Sequence, residues 1–192
     1  LDEGRPVAQT TTPSVGRTPL GAEFLDENAF AVANANAPGG APEPNGGSVT
    51  TYELVEDDED PPKAVEAELS TGQAGTARIA WYPGFEWLYG INQAAGSLTA
   101  FEADDEGEIG DGPTTPMPAG SIPLDASIHP DGDYLYVLDG GRGTVAVYQV
   151  DDDADDGSLV AVDEDAVPDL VGGQVAGLDV QRGTFRDLDT DY

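Results

Sequence analysis

Few side chains in this sequence could do chemistry, so each can be weighed in turn. His129 is the single histidine. Histidine is the side chain that changes charge near neutral pH, which makes it a candidate general base. Its setting, His129-Pro130-Asp131-Gly132, is turn chemistry, and that favours a structural reading. Arg142 lies in the run Asp139-Gly140-Gly141-Arg142-Gly143. A guanidinium there could steady a developing oxyanion or hold a carboxylate. The plainer reading is an ion pair with a neighbouring acid. Asp139 and Asp125 are carboxylates that could activate water. Arg78, Asn92 and Gln93 are polar groups suited to holding a ligand. The run 151–157 (DDDADDG) looks like a calcium loop but fails that pattern. Its sixth position is Asp156 where glycine is needed, and its twelfth is Val162 where glutamate is needed. A solvated acidic hairpin is the expectation.

These residues depend on the elements around them, and the elements repeat. Residues 82–101 (YPGFEWLYGINQAAGSLTAF) align without a gap with 129–148 (HPDGDYLYVLDGGRGTVAVY), at an offset of 47. Leu88 meets Leu135, Tyr89 meets Tyr136, Gly96 meets Gly143 and Phe101 meets Tyr148. His129 meets Tyr82, so one structural slot explains both. An earlier, weaker copy matches 30–34 to 88–92 and 47–52 to 96–101. The offsets of 58 and 49 place a nine-residue insertion in the Pro/Gly-rich stretch 35–45.

Each copy reads as four strands, here called a to d. In the third copy these are 124–128, 134–138, 144–150 and 159–162. Residue alternation marks the strands, and Pro-Asp-Gly and Gly-Gly mark the turns. Four strands per 40–50 residues is the pattern of propeller blades. The expected class is therefore all-β: a β-propeller of about three four-stranded blades plus one strand at each end. The divisions are 1–17 (outer strand of a preceding blade), 18–71, 72–120 and 121–165 (blades), 166–181 (an inner closing strand) and 182–192 (an acidic tail). Within the first and fifth divisions the lone strands fall at 6–11 and 174–180. Trp81, Trp87, Phe85, Tyr89 and Tyr148 recur at blade positions and are expected to pack between sheets. Three blades cannot close a ring. The partner expected is the remainder of the propeller, either a missing N-terminal half or a second chain, with a homo-oligomer or a filament as the other arrangements.

Charge narrows the setting. Seven Lys and Arg face 38 Asp and Glu, a formal net charge of −31, and the single lysine is Lys63. Such an excess repels itself at low salt. At molar salt the screening length falls to about 3 Å and most of the repulsion disappears. The expectation is a protein adapted to brine. Nucleic acid is disfavoured as a partner, because phosphate contacts need clustered cations. No apolar run approaches the length of a membrane helix. There is no cysteine, so disulfides and thiolate metal sites are excluded. Nothing calls for a cofactor. The chain starts at Leu1, so a removed leader or a longer parent chain is expected. The acidic runs 56–60, 104–111 and 151–156 all fall between strands c and d. In a propeller the c–d and a–b turns share one face, and the b–c and d–a turns share the other. The negative charge is therefore expected to crowd one face.

Residues 124–148 followed by 156–159 (DGSL) resemble a blade of the lactonase-like seven-bladed propellers. That family includes 6-phosphogluconolactonase-type and carboxymuconate-cyclase-type proteins and shares its blade signature with YVTN surface repeats. Residues 171–180 (VGGQVAGLDV) resemble the family's closing strand, and 73–81 (QAGTARIAW) resemble the start of a blade in its secreted members. The resemblance covers about residues 18–181. It implies the C-terminal half of a ring of about seven blades. It implies an extracellular or surface protein used for binding or assembly, or alternatively a lactonase-type hydrolase. In the second case Arg142 would steady the oxyanion of lactone opening, with Asp139 or Asp125 activating water. An enzyme of this kind would place a pocket on the b–c face.

Overall fold

The computed structural model describes residues 12–55, 61–65, 68–81, 86–104, 106–151, 154, 156–167, 170 and 177–178. Three antiparallel sheets follow one another along the chain. The first holds β1 (Pro19–Phe24), β2 (Ala29–Asn34) and β3 (Ser48–Glu53), with two short strands, β4 (Lys63–Ala64) and β5 (Leu69–Ser70), both paired to β3. The second runs β6 (Thr76–Ala80), β7 (Trp87–Asn92), β8 (Ser97–Ala103) and β9 (Ile109–Pro116). The third runs β10 (Pro123–Ile128), β11 (Tyr134–Asp139), β12 (Thr144–Val150) and β13 (Leu159–Val167). The fold is all-β, a partial β-propeller of three blades, and no α-helix occurs among the described residues. The inner strands β1, β6 and β10 lie side by side, β6 between the other two.

Several details differ from the expectation. The outer strand of the third blade runs to Val167 rather than Val162, because acidic residues 163–165 tolerate the solvent side of an edge strand. The first blade's outer strand is split between Ala64 and Leu69, and Pro61 and Pro62, which cannot donate to a ladder, lie just before its first piece. Asn92 and Asp139 close strands b rather than lying in the turns after them. The insertion 35–45 carries a single 3-10 turn at Pro38–Gly40. The expected strand at 6–11 lies outside the described residues. So does the one at 174–180, apart from Gly177 and Leu178.

Alternation along the strands makes two inter-blade cores. Ala31, Ala33 and Val49 of the first blade meet Ile79, Trp81, Leu88 and Phe101 of the second. Tyr89, Ile91, Leu98 and Ala100 of the second meet Ala126, Leu135, Val137 and Tyr148 of the third. Each fully buried leucine here, such as Leu88 or Leu135, contributes about 1.5–3 kcal/mol. Polar tips of the aromatics stitch across the same layers. Trp81 Nε1 donates to Leu25 O at 3.1 Å, and the Tyr89 hydroxyl donates to Gly157 O at 3.2 Å. Trp87 packs at the margin of the second core, and Phe85 lies outside the described residues.

Each inner strand also carries a β-bulge at the same place. The register shifts between Pro19 and Gly21, between Thr76 and Arg78, and between Pro123 and Asp125. A bulge re-aims the side chain that follows it. Gly21, Arg78 and Asp125 therefore occupy equivalent, re-aimed positions on adjacent inner strands.

Candidate functional site

Strand directions set the two faces. His129 follows the end of β10, whereas Arg142 follows the end of β11. The intervening strand has six residues, so the two side chains stand about 20 Å apart in the blade. They cannot form one catalytic pair. His129 Nδ1 accepts from the Asp131 backbone N–H at 3.2 Å and lies 3.6 Å from Asp131 Oδ2. Its backbone N–H donates to Tyr134 O, closing the a–b turn.

The b–c side holds the other candidates. Asp139 is 1% exposed, and its Oδ1 accepts from the backbone N–H groups of Ile122, Gly141 and Arg142 at 2.9, 3.0 and 3.2 Å. It thus ties the d–a connection to the b–c turn. Asn92 occupies the same slot in the second blade and is also fully buried. It accepts from Thr76 Oγ1 at 2.7 Å and donates to Ser97 Oγ at 3.1 Å and Thr99 Oγ1 at 2.9 Å. Asn34 fills the slot in the first blade and donates to Thr50 Oγ1 at 3.0 Å. Gln93 is half-buried, and its backbone N–H donates to Gly75 O. Arg142 is half-buried, with Nη2 on Asp165 Oδ1 at 2.8 Å.

Arg78 and Asp125 belong to the inner strands. Arg78 Nη1 donates to Ala77 O at 2.9 Å and reaches Leu20 O of β1 at 3.5 Å. Asp125 Oδ2 accepts from Leu178 N at 2.8 Å and Oδ1 from Ala126 N at 3.1 Å. Asp125 therefore also holds the chain that follows the third blade. Sequence reasoning missed Glu23 on β1. Protein packed around its carboxyl raises its pKa, and the charge of Asp125 raises it further. Its residue surface is open to solvent, so crowding on one side, not enclosure, disfavours its charge. No repeat signal marks Glu23, because its counterparts are Ala80 and Ser127.

Tyr148 is the least satisfied group in the second core. Its hydroxyl is buried and has no hydrogen-bond partner. Burial pushes its pKa up to about 12, with Glu164 and Asp139 adding to the rise and Arg142 opposing it.

The opposite side carries two acidic clefts, to which the 104–111 run contributes, whereas the 56–60 run lies outside the described residues. A cleft of about 400 Å³ is lined by Asp26, Glu53, Glu106 and Glu108, with Asn28 and Val65. A second, of about 530 Å³, is lined by Glu86, Glu102, Asp104 and Glu108. Both lie on the a–b and c–d side, away from Arg142. No group of three or more metal-ligating side chains is placed to hold an ion among the described residues. Asp152, Asp153 and Asp155 of the 151–157 run lie outside those residues.

No protein-family model matches the sequence, and no curated protein matches it. Solved structures do. A candidate 6-phosphogluconolactonase from Bacteroides uniformis superposes with a TM-score of 0.57 at 21% identity, over 75% of this chain and 40% of its own. One from Bacteroides fragilis gives 0.55 at 15% identity, over 82% of this chain and 42% of its own. A protein of unknown function from Desulfotomaculum acetoxidans gives 0.59 at 17% identity, over 76% and 41%. These likenesses show the fold, a partial β-propeller. The chain spans about 40% of the length of the structures it matches.

Proposed function

We propose that this chain is part of a larger β-propeller that works in brine, outside the cell or on its surface, as a module for binding or assembly. The observation that carries this reading is the uncovered apolar surface at the two outer blades. On β1, Leu20 is 53% exposed and Phe24 is 62% exposed. Phe24 is the exposed end of an aromatic row across β1, β2 and β3 that passes through half-buried Phe30 to buried Tyr52, with ring centroids 5.9 and 5.1 Å apart. Phe30 alternates with Ala29 and Ala31, which face the second blade, so the row faces away from it. At the far end, Val160 and Val162 of β13 are also exposed. Open sheet faces and edges of this kind take further strands. The favoured occupant is the missing N-terminal half of the ring, with a second copy or a filament as the other arrangements.

Mass measurement in molar salt tests this. The 192-residue chain alone is expected to self-associate. A stably folded monomer of 19.9 kDa overturns the open-ring reading.

A second reading is a lactonase-type hydrolase. It is favoured by the fold shared with two candidate 6-phosphogluconolactonases. In this reading the b–c side carries the site, with Arg142, Asp139 and Asp125 as its chemical groups and Arg78, Asn92 and Gln93 as its ligand contacts. Asp139 and Asn92 hold the strand ends in place, which leaves the two arginines and Asp125 as the groups nearest to solvent. No helix among the described residues is long and apolar enough to cross a membrane.

A further inference from the structure

Arg78 and Arg142 differ in what their guanidinium groups have left to give. A guanidinium carries five N–H donors. Arg142 commits Nη2 to Asp165 at 2.8 Å. Arg78 commits only Nη1, to the carbonyls of Ala77 and Leu20. Its Nε–H and both Nη2–H donors meet no described residue, and it takes part in neither ion pair found among the described residues. Arg17 and Lys63 also take part in neither ion pair, but both are exposed, whereas Arg78 is half-buried between inner strands. The free Nε/Nη2 edge is the fork that receives a carboxylate through two parallel bonds.

The fork is also held in place. A Cβ at Gly21 would stand 2.8 Å from Ala77 O, 3.0 Å from Arg78 Cα and 3.3 Å from Arg78 Cδ. Only glycine allows β1 and β6 to approach this closely with the arginine stem lying between them. The bulge at Thr76/Arg78 turns the side chain, and its Nη1 end donates to Ala77 O at 2.9 Å with Leu20 O at 3.5 Å. A donor pair fixed before binding loses less entropy when it binds.

We propose that the Nε/Nη2 edge of Arg78 anchors the carboxylate of a small organic anion at the inner-strand end formed by β1, β6 and β10. This rests on the reading that the b–c side of the ring carries the site. A carboxylate fits better than a phosphate because the neighbouring inner strands carry Glu23 and Asp125, which oppose a dianion more than a monoanion.

The test is calorimetric titration of the whole chain in molar NaCl with glucuronate, with glucose and with inorganic phosphate. The two sugars differ in one carboxylate. Glucuronate is expected to bind, and glucose and phosphate are not. Arg78→Gln should weaken glucuronate binding tenfold or more, and Arg78→Lys should restore part of it. Lys63→Gln makes the same charge change on an exposed outer strand and should leave affinity unchanged. The Arg78 Nε–Hε resonance should move with glucuronate and stay still with glucose, a readout that a purely structural arginine would not give. Equal binding of glucose, or tighter binding of phosphate, overturns the carboxylate assignment. Affinity retained in folded Arg78→Gln but lost in Arg142→Gln overturns Arg78 and keeps the site on this side. Affinity retained in both variants, or no binding at all, overturns the placement of the site as well.

Discussion

Arg142 Nη2 reaches across the third blade to Asp165 Oδ1 at 2.8 Å, joining the b–c turn to the outer strand β13. Twenty-three residues separate them in sequence. Both side chains keep contact with solvent, so the pair contributes about 0–1 kcal/mol and is further screened in brine. Arg142→Ala should therefore leave the melting transition in molar salt nearly unchanged. If the chain opens lactones, the same variant should lose activity while His129→Ala keeps it, because His129 sits in the turn at the other end of the blade. Assay of a model lactone with both variants decides. Loss in the His129 variant alone, with its circular dichroism intact, would reverse the assignment.

Asp139 is expected to matter more for stability than its neighbour. Asp139→Ala strands three backbone N–H donors that now share one buried oxygen. The expected cost is about 1.5–3 kcal/mol, the usual worth of hydrogen bonds to a charged acceptor. Chemical denaturation in molar salt would measure it. A change below about 0.5 kcal/mol, the usual range for a surface site, would contradict this role.

Two core tyrosines make a matched contrast. The Tyr89 hydroxyl donates to Gly157 O, whereas that of Tyr148 has no partner. Tyr89→Phe should cost about 1 kcal/mol, and Tyr148→Phe should be neutral or stabilising. The pH dependence follows from the raised pKa of Tyr148, about 12 in the fold against about 10 for a free tyrosine. The fold holds the neutral phenol, so this contribution is intact below about pH 10. It is lost as pH rises toward 12, where the folded protein must ionise a buried group. Melting temperature should fall over that window in the parent and fall less in Tyr148→Phe.

Salt should decide whether the chain folds at all. With a net charge of −31 and acidic clefts on one face, dialysis from molar to low salt should abolish cooperative melting followed by circular dichroism. An unchanged melt at low salt would remove the brine adaptation.

The sequence by itself determined the class of the fold and the phase of its strands. Alternation and turn chemistry are local, and the 47-residue offset carried them from one blade to the next. The same offset placed His129 in a turn slot. What only the tertiary structure decided is which polar groups are already used. Asn92 and Asp139 look like loop residues beside Gln93 and Gly140, yet both are buried strand ends, because strand length is settled by the partner strand rather than by the residue itself. Arg78 and Arg142 read alike in sequence as cations near turns. Their difference arises from partners far along the chain: Asp165 for one, the Leu20 carbonyl and the bare Cα of Gly21 for the other. Glu23 leaves no mark in the repeat at all, because its significance lies in the nearness of Asp125 two blades away, and such nearness exists only once the inner strands are set side by side.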